Sequence, residues 1–159
     1  MLVSLSGGDD MKKILVALDA SSVANAVLQR AAELASAYRA KLLLVRAVGL
    51  PTELPPEALA MDPDSVTGLL VTTAERDLAR LAATLPAEID VERTVQVGTP
   101  WRIICDLADD NDVDLIVIGA HGHRLLDRVL GTTTNRVVAH TERSMHIVRT
   151  PHETPAGNA

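Results

Sequence analysis

The sequence predicts an α/β fold: a five-stranded parallel sheet in the order 3-2-1-4-5, with helices on both faces. Three observations predict it. Continuous apolar runs at Lys13 to Leu18, Leu42 to Val45 and Leu115 to Ile118 are short and bounded by polar or turn residues, as strands covered on both faces require. Between them the apolar spacing changes to three and four, the period of a helix with one buried stripe. Strands and helices alternate along the whole chain, which favours βαβ units with right-handed crossovers.

The first strand ends at Leu18, and Asp19 follows. The first helix carries Ala24, Val27, Leu28, Ala31, Leu34, Ala35 and Tyr38 on one stripe, with Ser21 or Ser22 as its cap. After the second strand, residues 49–61 hold three prolines and read as a surface loop at the site end of the sheet. Asp62-Pro63 supplies a cap and first turn for a second helix, continued by Val66, Leu69, Leu70, Leu78, Leu81 and Leu85 and stopped by Pro86. Ile89, Val91, Val95 and Val97 alternate with polar residues, the pattern of a strand with one wetter side, so the third strand belongs at an edge. Thr99-Pro100 opens a third helix with Ile103, Ile104, Leu107 and Ala108 buried up to Asp110. A last helix from about Thr132 to Glu142 rests on Val137 and Val138, and the fifth strand is Met145 to Arg149.

With the third strand at one edge, the chain must return to lay the fourth strand beside the first. The switch point then falls between those two, so Asp19 and Gly119 flank the crevice where ligands of such sheets bind. One domain is expected over residues 11–150, with residues 1–10 a flexible extension and 151–159 a flexible tail.

Composition narrows the functions. A formal net charge of -6, dispersed basic residues and only 1% aromatics oppose a nucleic-acid surface. No run of about 18 apolar residues and no signal-peptide pattern occurs, so neither membrane nor export is indicated and a cytoplasmic location is expected. Cys105, the sole cysteine, reads as a core thiol on a helix. Five histidines without carboxylates or cysteines at ligand spacing do not define a metal site. No nucleophile, base and carboxylate can be assembled from spacing, so no catalytic residue is assigned.

The feature that carries function is Gly119 and Gly122 after the fourth strand, then Gly131 and Thr132, Thr133 and Thr134 opening a helix. Glycines let backbone N–H groups approach an anion, and a helix N-terminus adds unpaired donors and a positive dipole end. His121, His123 and Arg124 lie in the intervening loop and can add charge. Asp19 can accept from a ribose hydroxyl or a base amino group; it can equally cap its own helix.

On these residues the chain resembles the universal stress proteins of the nucleotide-binding kind, from about Met11 to Thr150. Ile14 to Asp19, Asp114 to Gly119, the glycine array and Ile147-Val-Arg149 follow the family order. The resemblance implies a homodimer paired through the last strand and ATP with Mg²⁺ or Mn²⁺ held through the phosphates. It implies a regulator or sensor in the stress response, with weak hydrolysis at most. It also implies nucleoside contacts from Ala17, Leu18, Asp19, Ala20 and Ser21 and from Ala47 and Val48, with ribose and phosphates on the glycine array. Here His123 to Leu130 supplies eight residues between the second and third glycines, one fewer than the resemblance implies, and Ala17 stands where proline is common.

Two other classes fit parts of the sequence. One is a dimeric interaction protein of the same fold that binds no ATP. The other is an adenylating enzyme, suggested by Ser6-Gly-Gly-Asp-Asp10 and Ala120-His-Gly-His123. The first of those motifs precedes the opening strand and has Met11 where a hydroxyl belongs; the second has Ala120 where the first histidine belongs.

Overall fold

The three apolar runs form the centre of the molecule. In the computed structural model, which describes residues 11–49, 62–120 and 130–150, they become β1 (Lys13–Ala17), β2 (Lys41–Val48) and β4 (Leu115–Gly119). The remaining elements are α1 (Ala24–Tyr38), α2 (Pro63–Ala82), β3 (Val91–Val97), α3 (Pro100–Asp110), α4 (Thr132–His140) and β5 (Ser144–Val148). The strands make one five-stranded sheet, β3-β2-β1-β4-β5, parallel throughout, as the sequence predicts.

Alternation along each strand divides the core in two. Ile14, Val16, Leu42, Leu44 and Val117 pack beneath α1, together with Leu78 of α2. Leu15, Leu43, Val45, Ile116 and Ile118 pack beneath α3 and Val137 of α4. Both faces being covered explains why these strands lack polar alternation. Cys105 is buried in the second cluster, and burial pushes its thiol pKa up. At the amino ends of the strands, one Asp114 carboxylate oxygen accepts from the N–H groups of Lys12 and Lys13, both at 2.8 Å, which ties β1 to β4.

Several local expectations are corrected. α1 starts later than a Ser21 or Ser22 cap implies, with Val23 at the N-cap, because Ser21 is held by Asp19 in the preceding turn. Asp62 and Thr99 do occupy N-cap positions before their prolines, but neither side chain makes a capping hydrogen bond. Tyr38, Leu69 and Val138 are exposed rather than buried, since the true stripes pass beside them. α2 ends at Ala82, before Pro86, and α4 at His140. β5 lies one residue earlier than predicted because its register pairs Ser144 with Leu115 and Val148 with Gly119. Gly98, at φ 147°, turns β3 into α3 in a backbone conformation that other residues rarely adopt. Trp101 bridges α3 to α4, its ring centroid 4.4 Å from that of His140.

Candidate nucleotide site at the carboxyl ends of the central strands

Register places the end of β1 against the end of β4: Ala17 pairs with Ile118 on one side and with Val45 on the other. Beyond Ala17, the Leu18 N–H still donates to the Val45 carbonyl at 2.9 Å, so the chain leaves the sheet at Asp19. Leu18 is buried, whereas Asp19 and Ala20 are exposed. Oδ1 of Asp19 accepts from both the N–H (3.0 Å) and the hydroxyl (2.5 Å) of Ser21, a tight side-chain turn. Oδ2 has no partner among the described residues. The carboxylate is thus oriented through one oxygen with the other available to a ligand.

Arg46, which the sequence reading passed over, reaches across from β2 and donates from Nη1 to the Asp19 carbonyl at 3.0 Å. It sits inside a strand that reads as apolar, and a cation two residues before a strand end, beside the switch point, was the available signal. Ala47 and Val48 follow it at the carboxyl end of β2, both half-buried.

On the other side of the crevice, two hydrogen bonds fix where the glycine loop leaves and returns. The Gly131 N–H donates to the Ala120 carbonyl at 2.7 Å. The Thr134 hydroxyl donates to the Gly119 carbonyl, also at 2.7 Å. Together they seat the first turn of α4 directly on the end of β4. Gly131, not Thr132, is the N-cap, and its carbonyl accepts from Asn135 at 2.9 Å. That leaves the N–H groups of Thr132, Thr133 and Thr134 without an acceptor among the described residues, the usual deficit of a helix start. Thr132 is exposed, Thr133 half-buried and Thr134 buried at 3% exposure. The Thr134 hydroxyl is therefore a structural latch, while its N–H and those of Thr132 and Thr133 have no acceptor among the described residues.

The structure brings together Ala17 to Ser21, Ala47, Val48, Gly119 and Gly131 to Thr134. His121, Gly122, His123 and Arg124 lie outside the described residues, as do residues 1–10, 50–61 and 151–159. Among the described residues no group of three or more His, Cys, Asp or Glu could hold a metal ion, and no helix is long and apolar enough to cross a membrane.

This is a doubly wound parallel sheet with a polar, donor-rich crevice at its switch point, the class of protein that binds ligands at strand carboxyl ends. Within that class the chain belongs to the universal stress protein family, whose model matches residues 11–149. It is 33% identical over 132 residues to universal stress protein A homolog 2 of Coxiella burnetii, spanning 82% of this chain and 89% of that protein. Among solved structures it is similar to the universal stress protein UspA of Lactobacillus plantarum, with TM-score 0.69, 28% identity and coverage of 87% and 98% of the two chains. It is also similar to a universal stress protein in complex with cAMP, with TM-score 0.59, 26% identity and coverage of 87% and 97%.

Proposed function

We propose that this universal stress protein binds an adenine nucleotide, with ATP the ligand that best fits, in the crevice between β1, β4 and the start of α4. The observation that carries the proposal is the pinning of α4 on β4 through Ala120 and Gly131. In our reading, because Ala17 pairs with Ile118 at the end of β4, this puts the three N–H groups, which have no acceptor among the described residues, at the same end of the sheet as Asp19, an anion-stabilising end set with a carboxylate that can accept from ribose or adenine. The cAMP complex of a 26% identical protein supports the same ligand class.

In this arrangement the strand ends orient the nucleoside. Asp19 Oδ2 accepts from ribose, the backbone around Ala47 reaches the base edge, and Thr132 and Thr133 donate to phosphate oxygens. A divalent cation, Mg²⁺ or Mn²⁺, is held by phosphate oxygens and water, since the described residues offer no dedicated ligand set. We assign the crevice to binding rather than turnover, in a sensor or regulator of the stress response. The chain pairs with a second copy along the outer edge of β5, which has no neighbour in the sheet.

Isothermal titration with ATP, ADP, AMP and cAMP, each with and without Mg²⁺, tests the proposal. Saturable heat at one site per chain is expected for at least one of the four. Absence of heat throughout, with no nucleotide carried through purification, would favour the same-fold interaction protein instead.

A further inference from the structure

We infer that a second small-molecule site, for an organic oxyanion, lies on the opposite margin of the sheet, in the cleft between α2 and β3. Register carries this inference. β3 pairs with β2 so that Val91, Arg93 and Val95 stand opposite Leu42, Leu44 and Arg46. Leu42 and Leu44 are fully buried beneath the helices of that face, and Val91 and Val95 pack against the same cluster. Arg93 therefore occupies a strand position where the pattern asks for an apolar residue. Such a break in local consistency is one of the signs by which functional positions are found.

Arg93 is exposed at the margin of the sheet, so its charge is solvated rather than paired within the protein. Arg93 has neither an ion pair nor a hydrogen bond to its side chain among the described residues, although the protein carries a formal charge of -6. The carboxylates nearest in sequence are engaged elsewhere: Asp90 and Glu92 both pair with Lys41, at 3.3 and 2.6 Å. Facing Arg93 across the cleft is Arg76, likewise exposed and without an ion pair or side-chain hydrogen bond among the described residues. It belongs to the α2 stripe Thr72, Glu75, Arg76 and Ala79, whose spacing of three and four puts all of these on one flank beside the buried Ala74 and Leu78. The cleft they enclose with Arg93 and Val95 has a volume of about 490 Å³, within the usual range of ligand pockets.

Its chemistry names the ligand. Two guanidiniums without a protein partner among the described residues select an oxyanion head, carboxylate or phosphate. The backbone adds donors: Asp90 and Gly98 direct their polar groups to β2, so by alternation the N–H groups of Arg93 and Val95 face the open edge. Glu75 opposes a second negative charge and accepts from a hydroxyl or ammonium on the ligand body, while Leu78, Ala79 and Val95 offer an apolar wall. The cleft shares none of its lining residues with the crevice beside β4, so it is tested separately from the nucleotide proposal.

Backbone amide and arginine Nε–H resonances of the ¹⁵N-labelled full chain, followed at constant ionic strength, test it. Inorganic phosphate and succinate serve as probes in separate titrations, and the arm that responds identifies the head group. Saturable shifts are expected at Arg93, Val95 and the Nε–H of Arg76 in at least one arm. Arg76→Gln and Arg93→Gln should each weaken that binding at least fivefold, whereas Arg80→Gln, which removes the exposed pair with Asp77, should leave it within twofold. Shifts at Thr132 and Thr133 report the other crevice and are scored separately. Responses at the cleft that stay linear with concentration in both arms, or that persist unchanged in Arg93→Gln, would overturn the inference.

Discussion

At the residue scale, one oxygen of Asp19 is committed to structure and the other is the one we propose for the ligand. Its Oδ1 is consumed by Ser21, which fixes the plane in which Oδ2 is presented. Asp19→Ala should therefore weaken nucleotide binding roughly tenfold or more, the worth of a hydrogen bond to a charged acceptor, with little change in melting temperature because the side chain is exposed. Arg46 acts on the backbone of the same residue. Arg46→Gln should raise Kd several-fold while leaving the thermal transition nearly in place, and calorimetry beside a melting curve separates the two effects. Cys105 belongs to the core instead. Burial raises its thiol pKa, with Asp109 and Asp106 adding to the shift. The folded state thus holds the proton more tightly than the unfolded chain, so the stability this contributes is complete below the ordinary thiol pKa and declines as pH rises through the raised one. Denaturant unfolding should show a midpoint that falls as the pH rises past the ordinary thiol pKa, less steeply in Cys105→Ala.

At the element scale, the start of α4 joins fold and function. Thr134→Val removes the donor to the Gly119 carbonyl at nearly constant volume, and should cost about 1–2 kcal/mol in denaturant unfolding. It should also weaken phosphate-bearing nucleotides more than adenosine, because the displaced helix start is the part of the site we propose for the phosphates. Equal losses for both would place the phosphates elsewhere. Much at this scale was legible in the sequence. Strand positions and topology followed from apolar runs, because buried parallel strands must exclude polar side chains. Pro63 and Pro100 gave two helix starts to the residue. The start of α1 was not legible, since whether Ser21 caps the helix or bonds Asp19 depends on geometry, not composition. Nor was the latch: Thr134 is one of three threonines in a row, and only the packing of α4 decides which one turns inward.

At the scale of the whole molecule, the two sheet margins are treated differently. The β3 edge carries Glu92, Arg93 and Gln96, charged and polar groups that discourage pairing. The β5 edge, Ser144–Val148, is short and half-buried and is the margin we propose pairs with a second copy. Val148 directs its carbonyl to Ala120, so by alternation the Met145 N–H points outward. Met145→Pro should then shift the sedimentation coefficient from dimer to monomer while retaining native far-ultraviolet dichroism. Topology placed the crevice from sequence alone, because Asp19 and Gly119 are brought together only if the chain reverses between β1 and β4. Arg46 and the α2–β3 cleft escaped notice because each depends on the register of neighbouring strands, which no local pattern states. The central claim is that a nucleotide sits between Asp19 and the first turn of α4. The most direct measurement is an amide chemical-shift titration of the full chain with ATP and Mg²⁺. Saturable shifts grouped at Asp19 to Ser21, Ala47 and Thr132 to Thr134 are predicted. Saturable shifts that leave those amides unmoved, or none at all, would contradict it.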